Sequence, residues 1–191
     1  MPLSDLVLKN RSYRRFYEEE KLSRETLEKW LDIARQTPSA ANRQPLKYVI
    51  SCEKALNEKI FTTLKWAGYL ADWDGPVPGE RPSAYLVIIL DKTLAPEANY
   101  DPGIVAQTFL LAAAEEGFGG CMIGSLDRIH LMKILGLEMD KYSSLLVIAL
   151  GKPKETVVLE EIEKDESIKY WRDENQVHHV PKRKLKDIIL K

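Results

Sequence analysis

The stretch Asn10-Arg11-Ser12-Tyr13-Arg14-Arg15-Phe16 places three guanidinium groups and a hydroxyl around one aromatic ring. A guanidinium is a planar fork of donors that keeps its charge when partly buried, so Arg11 and Arg14 together with Ser12 suit the oxygens of a phosphate. The same arginines could instead pair with the acidic run Glu18-Glu19-Glu20. A second polar stretch runs from Pro38 to Pro45, "PSAANRQP". Its small residues let another molecule approach the backbone, and Ser39 and Asn42 can donate to and accept from a planar polar edge; an ordinary loop after a helix reads the same way. Gly119 to Ser125, "GGCMIGS", predicts a glycine-rich turn that either faces a ligand with backbone N–H groups or simply joins two helices. Near the C-terminus Lys182 and Arg183 form a basic pair, which alone is a solvated patch.

Other chemistries find little support. Neither G-x-G-x-x-G nor G-x-x-x-x-G-K-[ST] occurs, so a dinucleotide fingerprint and a P-loop are both unsupported. Lys plus Arg (28) nearly balances Asp plus Glu (29), which gives no global field for nucleic acid or a membrane and makes any anion site a local cluster. Cys52 and Cys121 lie far apart with no partner at ligand spacing, arguing against a metal site and a disulfide scaffold and for a reducing cytoplasm. The longest clean apolar run, Tyr85 to Leu90, is far too short to cross a bilayer, and the start has no signal-like apolar region, so a soluble protein is expected. His130, His178 and His179 are expected to be structural or surface residues.

These groups need a scaffold. With 191 residues and 45% hydrophobic content, one domain spanning 1–191 suffices. A helix is predicted from Ser23, its N-cap, to Gln36, with Leu22 and Leu27 as a hydrophobic staple and Pro38 just past its end. Residues 46–51 and 83–90 read as strands and 53–64 as a helix. A helix starting with Asp101 as cap and Pro102 at its first position is apolar almost all round, which places it in the interior. Residues 125–136 predict a further helix and 143–151 a buried strand. After Gly151 the chain is polar without a sustained period, so a tail from 151 to 191 is expected to wrap around something already folded. Three strands do not distinguish a doubly wound parallel sheet from a mixed α+β one.

Taken in order, the stretches resemble the FMN-dependent nitroreductase family. "RSYRRF" is similar to that family's Arg-Ser-x-Arg-x-Phe start and "PSAANRQP" to its Pro-Ser-x-x-Asn-x-Gln-Pro loop. "DPGIVAQTFLLAAAEEGFGGCMIGS" is similar to its Asp-x-Gly-x-x-x-Gln helix and glycine turn. The likeness spans nearly the whole chain. It implies an α+β, three-layer α/β/α fold with a mixed sheet, assembled as an intertwined homodimer in which the C-terminal segment "KLKDIIL" adds a strand to the partner. It implies FMN, with Arg11, Ser12, Arg14, Lys182 and Arg183 at the phosphate and ribityl end. Pro38, Ser39 and Asn42 would reach the partner's flavin, and Met122, Ile123 and Gly124 would lie against the ring. The implied reaction passes hydride from NADH or NADPH through flavin N5 to a nitroaromatic, quinone or similar small acceptor in ping-pong order, with no side chain as a catalytic acid or base. Reductive dehalogenation or flavin fragmentation on the same fold, or a non-catalytic flavin carrier, are the alternatives. The Trp- and Pro-rich segment 66–82 departs from longer members and leaves the acceptor open.

Overall fold

A computed structural model describes residues 1–191. In chain order the elements are α1 (Leu3–Lys9), β1 (Phe16–Tyr17), α2 (Arg24–Ala34), β2 (Leu46–Ser51), α3 (Lys54–Phe61), β3 (Ala84–Asp91), α4 (Asp101–Glu115) and β4 (Gly119–Ile123). They continue with α5 (Arg128–Leu135), β5 (Tyr142–Pro153), β6 (Val157–Ile162), β7 (Trp171–Arg172), β8 (His178–Arg183) and α6 (Leu185–Ile188). The main sheet has β3 between β2 and β5, and β5 also pairs with β1 and β4; all four pairings are antiparallel. The parallel element is β6 against β8, in a small second sheet completed by β7.

Every residue of β3 is buried, so its alternate side chains feed two cores. Leu86 and Ile88 face Leu27 and Trp30 of α2 and Phe109 and Leu110 of α4. Tyr85, Val87 and Ile89 face Ile60 of α3 and Leu131 and Met132 of α5. The result is a three-layer α/β/α sandwich. Ser23 caps α2 by accepting from the Thr26 N–H at 3.1 Å, as its position predicts, and Trp30 meets Phe109 edge-on at 5.8 Å.

Three expectations need correction. Gly119 to Ile123 is a strand paired with Val147–Gly151 rather than a turn. Asp101 is the first helical residue and not the cap, because its carboxylate is spent on the loop before β2. Leu185–Ile188 is one helical turn rather than a strand, because Leu185, Ile188 and Ile189 follow the i, i+3, i+4 spacing of a helix. The helix α1 stood outside the expected elements, although Leu3, Leu6 and Val7 follow the i, i+3, i+4 spacing, and the two-residue strand β1 is too short to carry a period. No helix is long and apolar enough to cross a membrane.

Candidate functional site

Glycine brings the arginine-rich segment against the sheet. Ser12 forms a parallel bridge to Gly120, and the Tyr13 N–H donates to the Gly120 carbonyl at 3.0 Å. A Cβ on Gly119 would come within 2.6 Å of the Tyr13 ring, and one on Gly120 within 2.3 Å of the Ala149 carbonyl oxygen. These glycines therefore serve close packing of two backbones, not a turn.

The three arginines diverge from there. Arg15 turns away into a bidentate pair with Glu80 at 2.6 and 2.7 Å. Arg14 is buried; its Nη1 donates to the Ser12 carbonyl at 3.1 Å and lies 3.3 Å from His178 Nε2, while its guanidinium sits 4.9 Å from the centre of the Tyr170 ring. Arg11 donates from Nη2 to the Val7 carbonyl, and its buried Nε has no partner. Beneath them Glu155, with a fully buried side chain, accepts from the backbone N–H groups of Arg14 and Arg15 and from Arg172 Nη2 at 3.0 Å. This carboxylate ties the N-terminal segment to the tail.

A cavity of about 350 Å³ opens among these parts. Arg11, Ser12 and Arg14 line one side, Gln107 and Leu110 of α4 and Gly120 and Met122 of β4 the floor, and Val157, Tyr170, His178, Val180 and Lys182 of the tail the far wall. Asn10 completes it. Arg11, Arg14 and Lys182 are cationic and no carboxylate is among the lining residues, so the cavity suits an anion whose remainder is partly apolar. His178 is nearly fully buried in this wall, and burial first, then Arg14 and Arg172, pushes its pKa down to about 4. Its ring is thus neutral at physiological pH and can accept from Arg14.

Of the sequence-predicted residues, Arg11, Ser12, Arg14, Met122 and Lys182 come together here. Strand alternation separates their neighbours. Ile123 points into the opposite core, and the Gly124 carbonyl accepts from Arg128 Nη2 at 3.0 Å, away from the cavity. On β8, His178, Val180 and Lys182 face the cavity, whereas Arg183 donates to the Lys164 carbonyl at 3.0 Å. Gln107 and Tyr170 also line the cavity, as does His178, expected only as a structural or surface residue, although the period of two in "HHVPKR" already sorts its faces.

Pro38 and Ser39 line a separate cavity of about 270 Å³ beside Asp101 and Tyr48, whose phenol burial and the Asp101 charge push up to about 12. Ser39 Oγ donates to Asp101 Oδ2 at 2.5 Å and accepts from the Gln44 N–H at 2.9 Å, so its single proton is committed within the protein. The Ala40 N–H donates to Asp101 Oδ1 at 3.0 Å. These bonds hold a loop in which Ala41, Asn42 and Gln44 all have left-handed φ values of 51°, 53° and 50°. Asn42 is exposed at its tip and lines neither cavity.

Residues 7–152 match the model described as the Nitroreductase family. A Bacillus subtilis (strain 168) protein provisionally named NAD(P)H nitroreductase YdgI is 23% identical over 182 residues, covering 78% of this chain and 87% of its own. Among solved structures, a nitroreductase family protein of Streptococcus pneumoniae TIGR4 superposes with a TM-score of 0.71 at 16% identity, covering 100% of both chains. A provisionally assigned nitroreductase of Exiguobacterium sibiricum 255-15, solved in complex with FMN, gives a TM-score of 0.68 at 18% identity, covering 81% of this chain and 90% of its own.

Proposed function

This chain belongs to the nitroreductase family and is an oxidoreductase; from that premise we propose that it works with FMN and takes its electrons from NADH or NADPH. The observation that carries the reading is the cavity with three cations and no carboxylate. It fits FMN on its own chemistry. A phosphomonoester carries nearly two negative charges at neutral pH and matches Arg11 and Lys182, while Leu110, Met122, Val157 and Val180 offer apolar surface to the rest of the molecule. The buried, unpartnered Arg11 Nε is a donor without an acceptor inside the protein. Arg14, already held on three sides, would fix the shape of the site more than meet the phosphate directly.

When bound, FMN supplies two-electron transfer at its N5 between a nicotinamide and a small acceptor such as a nitroaromatic or a quinone, in ping-pong order. The protein's part is to bind, orient and exclude water; no side chain is assigned as acid or base. The reading includes a homodimer, in which the exposed Asn42 loop of one chain completes the site of its partner.

The test is titration of the purified protein with FMN, followed by anaerobic mixing of the complex with NADH and with NADPH while the flavin absorbance is recorded. We expect binding and bleaching. Arg11→Ala and Lys182→Ala should each weaken FMN by about tenfold or more, since one charge-assisted bond is worth roughly 1.5–3 kcal/mol. Failure to take up FMN, or wild-type affinity in both variants, would remove the assignment.

A further inference from the structure

Between α3 and β3 the chain runs from Thr62 to Ser83 with no helix or strand. It is anchored at both ends by backbone. The Lys65 N–H donates to the Ser125 carbonyl at 2.9 Å, and the Gly79 and Arg81 N–H groups donate to Glu18 Oε2 at 2.6 and 3.3 Å. In the middle the backbone-to-backbone bonds are purely local, from Leu70 N–H to the Ala67 carbonyl and from Trp73 N–H to the Leu70 carbonyl. Residues 66–75 therefore owe their position to side chains. Trp66 and Trp73 meet edge-on at 6.3 Å over the core, and with Leu64, Lys65 and Leu70 they wall a cavity of about 310 Å³.

Two side chains of the tail reach this segment. The Tyr170 ring packs on Tyr69 at 4.9 Å, and its hydroxyl accepts from the Tyr69 N–H at 3.5 Å. The Arg172 guanidinium lies 4.3 Å from the centre of a Trp73 ring while its Nη2 bonds Glu155. Both residues also belong to the cation cavity's wall or its support: Tyr170 carries Arg14 and His178 on its ring, and Glu155 holds the backbone of Arg14 and Arg15. Residues 170–172 thus touch the anion-binding side and the aromatic segment at once.

We propose that Tyr170 and Arg172 are positioning residues that let the tail, while closing the cation cavity, also shape the aromatic 66–75 segment and with it the choice of electron acceptor. The part concerning the acceptor rests on the oxidoreductase reading above; the part concerning position does not. The segment has no backbone-to-backbone tie to the rest of the fold: Trp66 is set in the core against Phe61 of α3 at 5.7 Å, while Tyr69 and Trp73 stack on Tyr170 and Arg172 of the tail. A change in the tail is thereby felt at the aromatic cavity through direct contact, with no need for a long path.

Hydrogen exchange read by mass spectrometry on the full-length protein as purified tests the positional claim. Tyr170→Leu removes the ring, Tyr170→Phe keeps it, and Arg172→Met combined with Glu155→Gln removes the cation without leaving a buried charge unpaired. Peptides covering 66–75 should exchange about tenfold faster in Tyr170→Leu and in the double variant, the scale of one or two lost aromatic contacts, and at wild-type rates in Tyr170→Phe. Unchanged exchange there in folded Tyr170→Leu would overturn the proposal; if that variant does not fold, the double variant decides in the same way. In turnover with a quinone acceptor, the Leu variant should shift KM for the quinone more than kcat. Absence of flavin would sink only this second arm and the FMN reading with it, leaving the exchange result to stand.

Discussion

At Arg15 the guanidinium is spent on Glu80, and Lys154 reaches the same carboxylate at 3.1 Å, so Arg15 first and Lys154 after it hold the Glu80 carboxyl down at about 2. Arg14, one residue earlier, goes to the interior and Arg11 to the cavity rim. Residue type pointed to Arg11 and Arg14 as phosphate ligands and left Arg15 without a role; the division of roles depends on Glu80 and Glu155, which come from distant parts of the chain. The same holds for His178, whose neutral state follows from burial between Arg14 and Arg172. Its pKa is depressed on folding, so its contribution to stability is present above the ordinary histidine value of about 6.5 and is lost as pH falls from there through about 4. His179 has the opposite sign, since Glu160 raises its pKa and its contribution fades as pH rises. We expect His178→Gln, which keeps an acceptor for Arg14 but cannot titrate, to flatten the fall of Tm between about pH 6.5 and 4 relative to wild type. Parallel profiles for the two proteins would show that the ring is not the titrating group.

Elements with a strong period were legible. α2 and α4 carry capping and proline signals together with a clear apolar face or an apolar surround, and β2, β3 and β5 are runs of Val, Ile and Leu. β4 was not, because its Gly119 and Gly120 signal a turn, whereas here they admit Tyr13 and the β5 backbone. The loop from Pro38 to Pro45 was legible as a distinct feature but not in its inner bonding: nothing in "PSAANRQP" reveals that Ser39 is bound to Asp101, sixty-two residues away. That clamp sustains left-handed alanine at position 41, a conformation costing roughly 1–2 kcal/mol, against which glycine's extra unfolded-state freedom costs about 0.5–1 kcal/mol. Ala41→Gly is therefore expected to raise unfolding stability by up to about 1 kcal/mol, measured by urea denaturation. A clear loss would mean that the Ala41 methyl makes a contact worth more than the strain.

On the scale of the whole molecule, apolar side chains lie uncovered at both ends of the chain. Leu3 and Leu8 of α1, and Leu185, Ile188, Ile189 and Leu190 at the C-terminus, are all more than half exposed. Scattered singly such residues are ordinary, but at both termini together they leave apolar surface that a second copy of the chain would cover. The exposed loop at Asn42 points the same way, since backbone strain held by a buried carboxylate is retained where a fixed shape is needed. We expect a homodimer in which this loop completes the partner's cation cavity. Flavin binding and association are then linked: FMN at a hundred times its Kd favours the binding-competent state by about 2.7 kcal/mol, and part of that must appear as tighter dimerisation. Sedimentation velocity across a protein dilution series, with and without FMN, measures the dimer constant directly. A loop that only folds back on its own chain would leave that constant unmoved by flavin, and a monomer at low micromolar concentration binding FMN one to one would show that the cavity closed by the chain's own tail is the complete site.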